Sequence, residues 1–225
     1  LSAFTGCSRP AMLVRNNVLL VACFPAVLLG PLYPLFISPL GMGKLSVGPP
    51  YFNAVFVPLI TPALFLMGVG PLMRWKGDSV PDVLKRLKWA LGVAMATGLL
   101  LPLTLEGYKP WAVLGLGLSS WIALTVVIAF RERAKTVGQL SNLPRAFWGM
   151  HMAHLGLAIG VAGITMVSNY QQEVDVRMNV GDQAQTAGHT ITFMGTANYS
   201  GPNYAGTRGT LTHTNAGTRQ LIEAL

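Results

Sequence analysis

The sequence predicts a mainly α-helical fold: a polytopic transmembrane helix bundle of about five spans, followed by a small extracytoplasmic β-rich domain. Of the 225 residues, 52% are hydrophobic and only 11% are charged, whereas a soluble globular domain has about 25% charged residues. The charges leave five long uncharged stretches, at 16–43, 45–73, 89–105, 110–130 and 146–172. After these stretches the pattern changes to short alternating segments. These observations exclude an ordinary soluble enzyme and a disordered tail.

Five spans can be placed in order, because a helix needs roughly 20 mostly apolar residues to cross a bilayer. We expect them at about 17–37, 52–73, 89–105, 111–130 and 147–167, and the third is the shortest. Spans one and two contain internal prolines, which kink a helix and free carbonyls that need partners in lipid. We therefore expect both spans to lie within a larger bundle. The prolines are Pro25, Pro31, Pro34, Pro58 and Pro62.

The lysines and arginines predict the orientation, because they accumulate in inside loops. Eleven of the 16 lie before span one or in the loops after spans two and four, which places the N-terminus inside and the tail outside. The net charge of +8 therefore marks inside loops. It does not indicate nucleic-acid binding, since no basic stripe with interleaved aromatic residues is present. The eleven are Arg9, Arg15, Arg74, Lys76, Lys85, Arg86, Lys88, Arg131, Arg133, Lys135 and Arg145.

The sequence pattern of the C-terminal tail predicts β-strands. Residues 173–180 alternate between apolar and polar side chains, as in a half-buried strand. Two threonine-rich strands are expected at 188–199 and 207–214, with a turn at 201–203 between them. We expect a transmembrane region over 1–167 and a truncated β-rich domain over 168–225. Because the chain starts at Leu1 and stops without a closing element, we also expect a piece of a longer protein or the product of a split gene.

Few residues outside the fifth span are candidates for chemistry. Cys7 and Cys23 fit no metal or redox spacing, and we expect both to be unpaired thiols. His189 and His213 belong to the tail and are expected to be exposed polar residues. In the loop before span two, Pro49 and Pro50 predict an extended segment, and Tyr51 predicts an aromatic residue at the membrane interface. We expect the loop to be either a rigid turn or a surface that binds a partner. The carboxylates among the inside positive charges are expected to be solvated: Asp78, Asp82 and Glu132.

The fifth span contains two histidines, His151 and His154, three residues apart and near one face of a helix. Ionisable residues inside a membrane are costly and indicate function. Either imidazole could be an axial ligand of haem iron or form a hydrogen bond between helices, and the residues alone leave both open. Gly156 and Gly160 in GxxxG spacing favour close helix packing or leave room for a flat macrocycle. The two histidines cannot both bind one haem from opposite sides.

Several strings resemble CcmF, the cytochrome c-type biogenesis family of the haem-lyase system. They cover residues 12–225 in order and are not of low complexity. They comprise Arg15-Asn16-Asn17-Val18-Leu19-Leu20, the loop at 44–53, and the segments 68–75, 152–158 and 173–178.

The resemblance implies a function. The family attaches haem to the CxxCH thiols of apocytochrome c outside the membrane, taking it from a haem carrier protein and working with other cytochrome c maturation membrane subunits. The family also holds haem b between two transmembrane histidines. His154, in its Ala-His-Leu-Gly setting, matches the second of these ligands. His151 departs from the single-histidine pattern and is a weaker candidate, as a neighbour of the haem or a packing residue. No catalytic residue is assigned.

Part of the family pattern is missing here. The chain has neither a tryptophan-rich WWD segment nor a second histidine-bearing span. We therefore expect it to supply the C-terminal portion of a haem lyase, inactive by itself, in the bacterial inner membrane with a periplasmic tail. The mitochondrial inner membrane is the alternative location. The alternative functions are a bis-histidine cytochrome b anchor and a non-catalytic membrane scaffold or transporter half.

Overall fold

The computed structural model describes residues 8–41, 47–75, 77–139, 142–215 and 218–224, without the side chains of 215, 218–219 and 223–224. Cys7, Lys76 and the segment 44–46 of the proline-containing loop lie outside the described residues. The chain divides into two compact units, Leu1–Asn169 and Tyr170–Leu225.

The first unit is helical. Its described part contains five helices that are long and apolar enough to cross a membrane, which confirms the predicted fold class. The first, third and fourth helices each extend beyond their uncharged stretch at one end, because a helix continues into the charged residues there. Short 3-10 turns at Gly70–Leu72 and Leu101–Thr104 extend the second and third helices. The helices are α1 (Arg9–Ile37), α2 (Pro49–Val69), α3 (Val80–Leu100), α4 (Pro110–Val137) and α5 (Arg145–Tyr170).

The helix starts follow ordinary capping chemistry. The Ser8 Oγ accepts a hydrogen bond from the Ala11 N–H at 3.4 Å, and the Ser79 Oγ accepts one from the Asp82 N–H at 3.3 Å. Pro49 and Pro50 form the first turn of α2. The prediction of an extended segment there was wrong, because proline is well suited to a position whose N–H has no partner within the helix.

Helices α1 and α2 pack together beside their internal prolines. The Tyr51 Oη donates a hydrogen bond to the Ala26 carbonyl at 2.8 Å, which joins the start of α2 to the middle of α1. Gly30 allows this approach, since a Cβ there would lie 3.0 Å from the Tyr51 ring and 3.2 Å from the Phe52 ring. Both helices continue through their prolines.

The core of the unit lies between α2, α3 and α4. Trp121 of α4 stacks on Phe65 of α2 with the ring centroids 5.3 Å apart, and its indole N–H donates to the Phe65 carbonyl at 3.0 Å. Gly68 makes room for this indole, because a Cβ would overlap the ring. Where α3 crosses α4, a Cβ on Gly98 would lie 2.7 Å from the Val113 carbonyl oxygen. Small residues that permit close backbone approach are typical of membrane helix packing.

The second unit is an antiparallel sheet with strand order β1-β2-β3-β4. The predicted strands at 188–199 and 207–214 are β2 and β3, and the turn at 201–203 joins them. The strand predicted at 173–180 was wrong, because residues 171–179 are irregular and pair with no described strand. Val174 and Val176 accordingly remain more than half exposed. The strands are β1 (Gln183–Thr186), β2 (His189–Ser200), β3 (Ala205–Asn215) and β4 (Thr218–Ala224).

Candidate functional site

The two histidines of α5 share one local arrangement. The Nδ1 of His151 lies 2.8 Å from the Phe147 carbonyl oxygen, and the Nδ1 of His154 lies 2.7 Å from the Met150 carbonyl oxygen. A carbonyl oxygen can only accept, so Nδ1 of each neutral ring carries the hydrogen and Nε2 keeps its lone pair. This is the tautomer that an imidazole needs to bind iron or another metal through Nε2. The helix itself fixes it, because each acceptor lies one turn earlier.

His151 is enclosed by aromatic rings. Its ring centroid lies 4.1 Å from that of Phe147 and 5.1 Å from that of Phe130 on α4. Only 2% of the residue is exposed. Among the described residues its Nε2 is buried and has no hydrogen-bond partner, which is costly for a polar atom unless something else satisfies it.

His154 lies nearly one turn further along α5 and is only half-buried. Its ring centroid is 6.4 Å from that of His151. Within the part of the chain that the structure describes, Nε2 of His154 forms no hydrogen bond. His154 is the tenth residue of α5, so it lies about 14 Å along the axis from the helix start. The lone pair of Nε2 is therefore available to a ligand well inside the predicted span.

Helix α5 is held against α4 by a row of close contacts. The Ser119 Oγ donates to the Ala158 carbonyl at 2.8 Å, and a Cβ on Gly115 would overlap the Thr165 side chain. At one end of the row the Lys109 ammonium donates to the Asn169 carbonyl. Ala158 follows His154 by about one helical turn and Thr165 by about three, so all three residues lie on the same side of α5. His154 therefore lies on the side of α5 that packs against α4.

The glycines of α5 face open space in the described structure. A Cβ added to Gly156, Gly160 or Gly163 would meet nothing within 4 Å. Gly163 follows His154 by two and a half turns and therefore lies on the opposite side of the helix. The glycines do not leave room beside His154. They are an open face of α5, and close packing through the GxxxG pair is not formed within the described residues.

The histidines of the second unit lie together. The Nε2 of His213 is 2.9 Å from the Nδ1 of His189, and the two ring centroids are 4.9 Å apart. Both residues are half-buried, so the prediction of exposed polar side chains was wrong. The His189–His213 pair lies on adjacent strands, β2 and β3, and no signal in the local sequence would have joined them.

Asp78 also differs from expectation. Its side chain is inaccessible (0% exposed) and forms an ion pair with Arg86, and it accepts the Arg74 backbone N–H at 3.2 Å. Burial raises the pKa of Asp78, but the hydrogen bonds from Arg86 and Arg74 and their positive charges outweigh it, and the pKa lies below its ordinary value. Asp82 is exposed, as expected, and accepts the Ser79 hydroxyl at 2.6 Å. Glu132 is exposed as well.

The second unit of the chain matches a known protein family. Residues 169–223 match the family model described as the CcmF C-terminal beta-sandwich. The strands described within this region form one four-stranded sheet.

Similar proteins extend the match to the helical unit. "Cytochrome c-type biogenesis protein CcmF" of Escherichia coli (strain K12) is 39% identical over 96% of this chain and 33% of its own length. The protein of the same name from Pseudomonas aeruginosa is 37% identical over 91% of this chain and 32% of its own length. "Cytochrome c-type biogenesis protein ccl1" of Rhodobacter capsulatus is 34% identical over 92% of this chain and 32% of its own length. The chain spans about a third of the length of these relatives.

A solved structure agrees with the sequences. The structure titled "Cytochrome c Heme Lyase CcmF" superposes with a TM-score of 0.73 and 27% sequence identity. The match covers 97% of this chain and 35% of the other.

Proposed function

We propose that this chain, which resembles the C-terminal region of CcmF proteins in sequence and in fold, is part of a cytochrome c haem lyase. In this proposal the complete protein attaches haem to the CxxCH thiols of apocytochrome c. This proposal is supported by the similarity of both units to CcmF proteins in sequence and in fold. Its partners are a haem carrier protein, apocytochrome c and other cytochrome c maturation membrane subunits.

We assign His154 as an axial ligand of haem b. The Nδ1 hydrogen bond to the Met150 carbonyl at 2.7 Å holds the ring in the tautomer that leaves Nε2 free to coordinate. The apolar span around His154 excludes water from the ligand. Haem b bound there would supply one-electron redox chemistry. Its second ligand must come from outside this chain's spans, since the other two histidines, His189 and His213, lie in the β-rich unit.

His151 is not needed for this role. Both histidines lie on neighbouring parts of one helix face, so they cannot coordinate one iron from opposite sides. The imidazole of His151 also packs against the rings of Phe147 and Phe130. We place it as a neighbour of the haem site and not as a ligand.

The orientation follows from the basic residues. We propose a multi-pass protein of the bacterial inner membrane, with the starts of α1, α3 and α5 inside and the β-rich unit in the periplasm. The transmembrane region would then cover 1–167 and the periplasmic domain 168–225. The compact units, which divide between Asn169 and Tyr170, support a boundary there.

The test is the variant His154→Ala in the protein expressed in its native membrane. We expect loss of the b-type absorbance of the purified protein together with loss of c-type cytochrome assembly. His189→Ala is the matched control and should retain both. Retained b-type absorbance in His154→Ala would overturn the assignment of His154 as a haem ligand, and normal holocytochrome levels would overturn the haem-lyase role. Loss of the absorbance with normal assembly would instead identify an electron-transferring cytochrome b anchor.

A further inference from the structure

A cavity of about 560 Å³ lies at the end of the bundle where α1 and α5 begin and where α2 and α4 end. It is separate from the Nε2 of His154, which does not line it. A volume of this size falls in the range of about 300–1,000 Å³ that organic ligands occupy in proteins. The cavity has no role in the proposed haem-lyase function.

His151 is one of the residues that line the cavity. The Nδ1 donates to the Phe147 carbonyl, so Nε2 of the neutral ring can only accept. Nε2 is buried and unpartnered among the described residues. A buried polar atom without a partner is costly. The cavity therefore favours a ligand that offers a hydroxyl group as donor.

Two guanidinium groups, those of Arg9 and Arg133, also line the cavity. Within the described residues, the Arg9 side chain donates a hydrogen bond to the Met150 sulfur at 3.9 Å, and neither Arg9 nor Arg133 forms an ion pair. Glu132 is the one carboxylate in the lining, which leaves one net positive charge. Arginine recognises phosphate through paired N–H groups, so the cavity favours a phosphate group.

The remaining wall is apolar and includes Leu72, Ala129 and Phe147. These residues belong to membrane-spanning helices or to their immediate ends. A free phosphate ion would leave this wall uncovered, whereas the glycerol and first methylenes of a lipid would cover it. Basic pockets between transmembrane helices are a recurrent form of lipid headgroup site.

We propose that this cavity binds the headgroup of an anionic glycerophospholipid. The phosphate lies against Arg9 and Arg133, a headgroup hydroxyl donates to Nε2 of His151, and the start of the acyl chains lies along the apolar wall. The bound lipid also joins the ends of α1, α2, α4 and α5. His151 is a ligand-binding residue in this site, independent of the haem ligand His154.

The experiment measures lipid binding to the protein purified from its native membrane, by native mass spectrometry. The probes are phosphatidylglycerol, phosphatidylcholine and inorganic phosphate. We expect the double variant Arg9→Gln/Arg133→Gln to weaken phosphatidylglycerol binding about 30-fold. The matched control Arg131→Gln/Lys135→Gln removes the same charge from exposed positions of α4 that do not line the cavity, and it should leave binding unchanged. If the double variant does not fold, Arg133→Gln alone replaces it, since Arg133 is exposed.

His151→Phe tests the hydroxyl contact. It preserves the ring and removes the acceptor, and we expect phosphatidylglycerol binding to weaken about fivefold, the value of one hydrogen bond. Equal binding of phosphatidylglycerol and phosphatidylcholine would overturn the proposal. So would an equal loss of binding in the arginine and control variants. Complete displacement of the lipid by inorganic phosphate would also overturn it, because the site would then take phosphate alone.

Discussion

The imidazoles of His189 and His213 share a hydrogen bond of 2.9 Å because of a β-bulge several residues away. Near the turn, β2 and β3 pair as Gly195 with Thr210, but beyond the bulge they pair as Phe193 with Leu211. The extra residue, Met194, shifts the register by one position. In a sheet, a shift of one residue moves a side chain to the other face. If Met194 instead paired with Leu211 and no bulge formed, Thr192 would lie opposite His213, and His189 would face the other side of the sheet.

We expect the His189–His213 pair to stabilise the sheet. His189→Phe and His213→Phe should each reduce the protection of the β2 and β3 amides from hydrogen exchange. The double variant should reveal a coupling of about 1 kcal/mol, which is typical of one hydrogen bond. Strictly additive effects of the two substitutions would show that the pair contributes nothing.

Deleting Met194 should preserve that coupling. The deletion removes the bulge, but Phe193 still pairs with Leu211 and Ile191 with His213, so both histidines stay on one face of the sheet. The double-variant cycle is repeated in the deletion background, with hydrogen exchange as the measurement. Loss of the coupling in the deletion background would contradict the register explanation.

The contact between α4 and α5 depends on Gly115. We expect Gly115→Ala to destabilise the protein by about 1–3 kcal/mol, because the new Cβ overlaps the Thr165 side chain. Thermal unfolding in detergent measures the loss. Gly156→Ala is the matched control, since its Cβ would meet nothing within 4 Å.

A second substitution separates overlap from other effects of the methyl group. Thr165→Ala removes the two closest overlapping atoms, Oγ1 and Cγ2, and should restore part of the stability lost in Gly115→Ala. If Thr165→Ala restores nothing, the close approach of these two residues is not the cause.

The ionisation of Asp78 should make the stability of the folded protein depend on pH. Its pKa is lower in the folded protein, so the ionised carboxylate stabilises the fold above the ordinary pKa of about 3.9. That contribution is lost as the pH falls through the lower folded value. We expect Asp78→Asn to cost about 1–2 kcal/mol at neutral pH, and the difference from wild type to shrink below about pH 4.

Thermal unfolding at neutral and acidic pH checks this difference. The control, Asp175→Asn, changes an exposed carboxylate and should match wild type at each pH. A wild-type advantage over Asp78→Asn that is constant down to acidic pH would mean that ionisation of Asp78 is not responsible.

The orientation can be tested with single cysteines in a cysteine-free background. Tyr108→Cys lies between α3 and α4, and Gln139→Cys follows α4. In intact spheroplasts, a membrane-impermeant maleimide should label Tyr108→Cys and should label Gln139→Cys only after lysis. The reverse labelling pattern would invert the proposed topology.

The five helices were predictable because each depends on a local property. Burying a charge in lipid is costly, so uncharged stretches of sufficient length show where the helices lie. The strands were only partly predictable, because a strand needs a partner distant in sequence. Residues 173–180 alternate like a strand but have no described partner, whereas β1 was not expected and pairs with β2.

The sequence by itself determined the number of spans, the two histidines of α5 and the resemblance to CcmF. Only the tertiary structure decided which environment each histidine has. His151 and His154 are three residues apart and form the same backbone hydrogen bond. Phe130 of α4 covers His151, and His154 remains half-buried. Burial depends on what the neighbouring helix places opposite a residue, and that information lies elsewhere in the chain.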